Sequence, residues 1–165
     1  MYDVVAIGEL LVDFACRSTD DDGYPVLAAH PGGAPANFLA VLARYGLKTA
    51  LLAKVGNDAF GRLLRRTVER EGIDTAGIVV DDAAFTTLAF VTLDENGERD
   101  FSFARKPGAD MLLRYDELDL SLIDRTRVFH FGSVSMTDEP SRDATRRAAA
   151  YARSRGCLLY TSPSP

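Results

Sequence analysis

The sequence predicts an α/β fold in which a mainly parallel sheet is flanked by helices and carries one small antiparallel β hairpin. Three observations predict it. Short apolar runs alternate with longer amphipathic ones, the signature of strands joined by helices. Glycines follow the first two helical patterns, at Gly46 and Gly72, where a left-handed residue ends a helix at low cost. Two strand-like runs flank Asp94-Glu95-Asn96-Gly97-Glu98, and Asn-Gly is a strong hairpin signal because both residues tolerate positive φ.

Asp3 to Ile7 is the first strand, apolar enough to be buried and ended by Gly8. From Pro35 to Tyr45 the apolar residues Phe38, Val41, Leu42 and Tyr45 recur at i, i+3, i+4 and i+7, which predicts a helix with one apolar stripe. Thr49 to Val55 is the next strand. Phe60, Leu63, Leu64 and Val68 mark a second amphipathic helix, closed by Gly72. Thr86 to Leu93 and Arg99 to Phe103 form the hairpin; Leu88 and Phe90 face one side, and Ala89, Val91 and Leu93 the other. Both faces are therefore apolar and call for a cover, as a lid or a dimer contact would have. Val128 to Phe131 is a further strand, and Pro140 to Arg155 a helix with Ala144, Ala148 and Tyr151 on its stripe.

Composition narrows the function. With 165 residues, 47% of them hydrophobic, the chain has enough apolar material for one domain with a sizeable core. A formal net charge of −5 argues against nucleic acid as a partner, because backbone binding depends on Lys and Arg neutralising phosphates. The pairs Arg65-Arg66 and Arg146-Arg147 sit at helical spacing among apolar residues, as on solvated helix faces. No run reaches the roughly 18 apolar residues of a membrane span, and the start lacks the basic stretch of a signal peptide, so no membrane partner and a cytoplasmic location are expected. Cys16 and Cys157 stand alone, without Cys-x-x-Cys, so neither a disulfide framework nor a metal site is expected. His30 and His130 have no carboxylate or cysteine at ligand or triad spacing and are expected to be rim or packed residues.

The nine residues Cys157 to Pro165 begin where the alternation calls for a strand and end in a Ser-Pro run. They resemble the translation of a sequencing-library adapter. The expectation is that residues 1–156 are natural sequence and 157–165 a non-native tail.

The most specific stretch is Pro31-Gly32-Gly33-Ala34-Pro35-Ala36-Asn37-Phe38-Leu39-Ala40, a glycine turn feeding the first helix. Glycines there let a ligand approach the backbone, and free N–H groups at a helix start point outward as donors. The competing reading is a tight turn and a helix start with no ligand. The stretch is not a P-loop, since no Gly-Lys-Ser/Thr follows, nor a dinucleotide fingerprint, since Gly-x-Gly-x-x-Gly is absent. The missing fingerprint also argues against a nicotinamide-dependent oxidoreductase.

Gly-Gly-x-x-x-Asn-x-x-Ala, carried here by Gly32, Gly33, Asn37 and Ala40, resembles the first signature of the PfkB/ribokinase family of carbohydrate kinases. Gly8-Glu9-Leu10-Leu11-Val12-Asp13 resembles the family's opening strand with its sugar-binding Asp. Val55-Gly56-Asn57-Asp58-Ala59-Phe60-Gly61 resembles its Gly-x-Asp-x-x-Gly segment. Arg105-Lys106-Pro107-Gly108-Ala109-Asp110-Met111-Leu112-Leu113 resembles a block typical of fructokinase-like members, and Phe129-His130-Phe131-Gly132-Ser133 the strand that follows it. The resemblance spans residues 2 to 156 and implies the amino-terminal part of a ribokinase-like fold, with the hairpin as a lid.

It also implies a site. Asp13, expected at the end of a strand, would accept hydrogen bonds from neighbouring sugar hydroxyls, its alternative being a turn or capping residue. Asn37 would offer a donor and an acceptor, the alternative being a structural bond within its helix. Gly32 and Gly33 would bring backbone against the sugar. Arg105 would reach into the pocket with its planar fork of donors, the alternative being a surface salt bridge with Asp100 or Asp110. Asp110 itself reads as a turn or helix-start residue. Gly132 would lie on the substrate side and contribute only backbone and space.

The implied reaction is ATP-dependent phosphorylation of a sugar hydroxyl, with fructose to fructose 6-phosphate favoured by the Arg105 to Leu113 block and 2-keto-3-deoxygluconate or ribose as alternative substrates. ATP and Mg2+ are the implied cofactors, and a homodimer through the lid hairpin is implied, with Leu88, Phe90 and Val91 as contacts. The family's catalytic base is an Asp in Gly-Ala-Gly-Asp. Only Gly108-Ala109-Asp110 approaches that motif here, inside a different block, so no catalytic, nucleotide or metal residue is assigned to this chain. A noncatalytic sugar-binding module is the reading from another class.

Overall fold

The computed structural model describes residues 1–93 and 99–161. The Asn96-Gly97 turn and the Ser-Pro run from Ser162 lie outside the described residues.

Two sheets share the chain. The body is a parallel sheet of β1 (Tyr2–Ile7), β4 (Thr49–Gly56), β5 (Ile73–Asp74), β6 (Ile78–Asp81), β9 (Thr126–Phe131) and β10 (Leu158–Thr161), in the order β10-β9-β1-β4-β5, with β6 also pairing β4. The second sheet orders β3 (Pro25–Gly32), β2 (Leu11–Thr19), β7 (Leu88–Leu93) and β8 (Arg99–Ala104), with β2 and β7 parallel and the outer pairs antiparallel.

The body follows from its strand sequences. β4 reads Thr-Ala-Leu-Leu-Ala-Lys-Val-Gly and is buried along its whole length, as a central parallel strand covered on both faces must be. Its alternation divides the core. Leu51, Ala53 and Val55 pack with Val4 and Ala6 against Leu39 of α1 (Ala34–Arg44) and Leu64 and Val68 of α2 (Ala59–Arg70). Ala50 and Leu52 pack with Val5, Ile7 and Phe129 against Leu122 and Ile123 of α3 (Leu120–Asp124) and Ala148 and Ala152 of α4 (Ser141–Ser154). Each fully buried leucine in these layers contributes about 1.5–3 kcal/mol by leaving water.

The helix ends match their signals. Gly46 and Gly72 take φ of 83° and 84° after α1 and α2. Asp58 caps α2 by accepting from Phe60 N at 2.9 Å and Gly61 N at 2.8 Å, while its other oxygen accepts from Thr86 N at 2.8 Å. The Val55 to Gly61 block thus ties the start of α2 to the segment entering β7, and these bonds lower the Asp58 pKa against the opposing effect of burial.

Lys54 is an exception inside β4. Its ammonium is buried but meets Glu117 at 2.8 Å, Asp81 at 2.9 Å and the Leu112 carbonyl at 3.1 Å, so the charge is both paired and hydrogen-bonded. Hydrogen bonds from Lys54 and then from the Ala83 and Ala84 amides hold Asp81 down from 3.8 to about 2.

The expected elements are present with small shifts, and the second sheet is larger than a hairpin. β7 starts at Leu88 and not at Thr86; just before it Thr86 Oγ1 accepts from Gly56 N at 3.0 Å, and Thr87 Oγ1 donates to Asp110 Oδ1. β2 and β3 extend the hairpin to four strands. Their turn, Asp20 to Tyr24, is stabilised by Asp20 Oδ1, which accepts from Asp22 N at 3.1 Å and Tyr24 N at 2.8 Å, with Gly23 at φ 88°. Leu88 is partly buried against the body core, and Phe101 and Phe103 of this hairpin are half exposed.

Candidate sugar site

Asp13 corrects the first expectation. It does not end the opening strand: β1 stops at Ile7, the chain crosses over residues 8–10, and Asp13 is the third residue of β2 in the second sheet. Cross-strand pairing sets it in a row running His30 on β3, Asp13 on β2, Ala89 on β7 and Phe103 on β8. Directly paired residues share a face, so Asp13 is flanked by an exposed imidazole and, two strands or about 10 Å away, by an exposed aromatic ring. The Asp13 carboxylate is half-buried, with no hydrogen-bond partner recorded among the described residues. Burial raises its pKa, and nearby His30 opposes that shift.

The glycines around it have distinct reasons. A Cβ at Gly32 would collide with the Asp13 carboxylate and come within 2.9 Å of Leu11 Cδ1. Gly33 takes φ 113° and caps α1, and a Cβ there would run into the Glu9 carbonyl. The turn is therefore closed to side chains by the groups beneath it. Asn37 stands exposed in the first turn of α1; its backbone N–H donates to Gly33 O at 3.0 Å, and its amide side chain has no recorded protein partner among the described residues. The structural bond weighed above for Asn37 is thus not observed.

Arg105 forms an ion pair with Asp110, one of the two partners weighed above, but the pair is buried and not at the surface. Nε and Nη2 reach Asp110 Oδ2 at 2.9 and 2.8 Å, and Nη1 donates to Thr137 Oγ1 at 3.3 Å. Asp110 lies in the short 3-10 turn Ala109–Leu112 and also accepts from Thr87 Oγ1 at 2.5 Å. No recorded contact joins Arg105 to Asp13. Gly132 follows β9, where a Cβ would stand 3.0 Å from Pro35 Cγ and 3.2 Å from Glu9 Oε2, so it supplies space at the base of the glycine turn.

Sequence reasoning missed Glu9. It is 3% exposed, and Oε1 accepts from Ala34 N at 3.0 Å while Oε2 is buried without a partner. Burial raises its pKa, with nearby Asp110 pushing the same way and the Ala34 amide and Arg105 pulling back. The available signal was a charged residue inside the apolar run Gly8 to Phe14. His130 is packed as expected, fully buried beside Phe38 at 4.5 Å, with Nδ1 3.1 Å from Tyr160 O and its pKa lowered by burial. His30 is at the rim, in the Asp13 row.

The arrangement offers a ligand one unpartnered carboxylate, one free side-chain amide and an exposed aromatic edge around a glycine turn, a donor–acceptor set suited to a polyol. Among the described residues no group of three His, Cys, Asp or Glu could hold a metal ion, and no helix is long and apolar enough to cross a membrane.

Fructokinase-1 of Zea mays is 45% identical over 163 residues, covering 98% of this chain and 50% of the relative. Probable fructokinase-3 of Arabidopsis thaliana is 44% identical, covering 98% and 47%. Among solved structures, fructokinase from Xylella fastidiosa superposes with a TM-score of 0.92 at 33% identity, covering 98% of this chain and 50% of that one. A putative ribokinase II from E. coli in complex with ATP and Mg2+ superposes at 0.88 with 29% identity, covering 98% and 52%. The chain spans about half the length of the curated relatives it matches. Residues 1–165 match the pfkB family carbohydrate kinase family, and the chain belongs to it.

Proposed function

We propose that this chain is the amino-terminal, sugar-binding half of a cytoplasmic ATP-dependent kinase that converts fructose to fructose 6-phosphate. The observation that carries the reading is the half-buried, unpartnered Asp13 carboxylate beside the Gly32–Gly33 turn, supported by relatives named as fructokinases. A carboxylate already stripped of part of its water gains from hydroxyl donors that restore its hydrogen bonds, and two adjacent hydroxyls fit its two oxygens.

In this reading Asp13, Asn37 and the backbone at Gly32 and Gly33 bind and orient the sugar. Arg105, held by Asp110, lines the pocket from the lid side, and Gly132 leaves the room the turn needs. The sugar hydroxyl attacks the γ-phosphorus of ATP, the bond to the β–γ bridging oxygen breaks, and ADP leaves while a base takes the hydroxyl proton. ATP, Mg2+ and that base belong, in this proposal, to sequence beyond residue 156, since the described residues offer no metal-holding group. Residues 157–165 are assigned to a non-native tail, and the exposed Phe101 and Phe103 edge of the lid to a homodimer contact.

Recovering the adjoining genomic DNA tests the reading first. It should replace the codons for 157–165 and encode Gly-Ala-Gly-Asp further on; an open reading frame ending at these nine codons would overturn it. The full-length product should then phosphorylate fructose with ATP in preference to ribose and 2-keto-3-deoxygluconate, whereas residues 1–156 alone should show no turnover.

A further inference from the structure

The chain passes between the two sheets four times: over residues 8–10 from β1 to β2, at 33 from β3 to α1, over 82–87 from β6 to β7, and from Arg105 onward after β8. Two buried carboxylates meet all four passages. Glu9 sits in the first and accepts from Ala34, which opens α1 directly after the second. Asp110 accepts from Thr87 at the end of the third and from Arg105 at the start of the fourth.

The two clamps also converge on each other. Asp110 and Arg105 are both close enough to Glu9 to act on its charge. Arg105 continues to Thr137 Oγ1 and the Val134 carbonyl on the segment after β9, and Gly132 at the head of that segment lies against Glu9 Oε2. The bland account of Glu9 is a helix-capping acid. It leaves unexplained why a carboxylate is buried with one oxygen unpaired where a shorter, exposed cap would serve.

We propose that Glu9 and Asp110 are positioning residues that form the hinge between the sheets, and that Glu9, through Ala34, sets the Gly32–Gly33 turn and Asn37 against the sugar. The second clause rests on the sugar-kinase reading; the first does not. Restraining all four passages at one place lets the lid sheet move as a unit about that place, because β2 and β7 are hydrogen-bonded to each other and cannot swing separately.

Amide hydrogen exchange on this chain tests the hinge. Glu9→Ala should speed exchange about tenfold at Ala34 and across the second sheet, β2, β3, β7 and β8, while β4 stays within about twofold of wild type. Asp110→Asn should do the same to that sheet. Equal acceleration in β4, or none in the second sheet, overturns the hinge. If Glu9→Ala does not fold, Glu9→Asp, which keeps the charge but withdraws it from Ala34, should give the same pattern at smaller amplitude.

Kinetics of the full-length enzyme test the positioning role. Glu9→Ala should raise the sugar KM about tenfold with kcat and the ATP KM within about twofold, and Glu9→Gln, which keeps an acceptor for Ala34, should restore most of the loss. An unchanged sugar KM, or parallel rises for sugar and ATP, overturns it. A wild-type enzyme that phosphorylates no sugar defeats the proposed function instead, and the exchange data then decide the hinge alone.

Discussion

The two sheets of this chain solve opposite problems with the same strand chemistry. In the body, β4 is covered on both faces by helices and buries every residue it has. In the lid, β2 is covered near its start and emerges toward its end, from buried Leu11 and Val12 to exposed Cys16, and it carries Asp13 where the cover runs out. Burial in the body stabilises; on the proposed role of Asp13, partial burial in the lid leaves a carboxylate desolvated enough to gain from hydroxyl donors and open enough to reach them. The proposal therefore predicts that substitutions in the body core and at Asp13 separate stability from binding.

The largest test of that separation is a core truncation. Leu51→Ala, fully buried in β4, should cost about 3 kcal/mol in urea unfolding through lost transfer energy and the cavity left behind. A cost under about 1 kcal/mol would mean that the body is looser than its burial indicates. Lys54→Ala comes next, at about 3 kcal/mol or somewhat less, because it strands Asp81 and Glu117 without their cation while both retain some contact with solvent.

The Lys54 cluster also has a pH signature. The Asp81 pKa is depressed in the fold to about 2 from its usual 3.8, so its contribution to stability is present above 3.8 and is lost as pH falls toward 2. Acid unfolding curves of Lys54→Ala should lose much of the part of that slope due to Asp81, the Ala83 and Ala84 amides keeping the remainder. An unchanged slope would remove Lys54 as its cause.

On the lid the expected effects are functional. Asp13→Ala should weaken sugar binding in the full-length enzyme by about 1–3 kcal/mol, while unfolding of the chain changes by less than about 0.5 kcal/mol, since no protein partner is lost. The sign of its pH dependence is opposite to that of Asp81. Burial raises the Asp13 pKa above 3.8, so its contribution to stability is fully present below 3.8 and is lost as pH rises through the raised folded value. Sugar affinity, which needs the ionised acid, should therefore fall on acidification through that same value, and Asp13→Asn should flatten the profile. The smallest effect is Phe101→Ala: half exposed and stacked at 6.3 Å only on Phe103, it should cost under about 1 kcal/mol in the monomer. If the lid edge is a dimer contact, the same substitution should lower the mass seen by sedimentation; an unchanged mass removes that contact.

Much of the body was legible in the sequence because its strands and helices obey single periods. Gly46 and Gly72 stop helices, and Thr49 to Val55 is too continuously apolar to be anything but covered; the stripe expected on α1 is the exception, since the helix turns Ala36 and Leu39 inward and leaves Val41 and Tyr45 exposed. The lid was harder. β3 begins and nearly ends in proline, and its register partner β2 follows β1 after only Gly8, Glu9 and Leu10, so nothing local shows that Leu11 starts a strand of a different sheet. The triple Asp at 20–22 before Gly23 was the turn signal that marks β2 and β3 as a hairpin.

By itself, the sequence determined the alternation of strands and helices, the glycine turn and the motif blocks that carry the family resemblance, because those depend on local spacing and side-chain chemistry. Only the tertiary structure decided that Asp13 belongs to a second sheet, that Arg105 pairs with a buried Asp110, and that Glu9 reaches Ala34 across 25 residues. Those pairings arise from strand registers and chain crossings, which bring together residues far apart in sequence and leave no periodic trace in it.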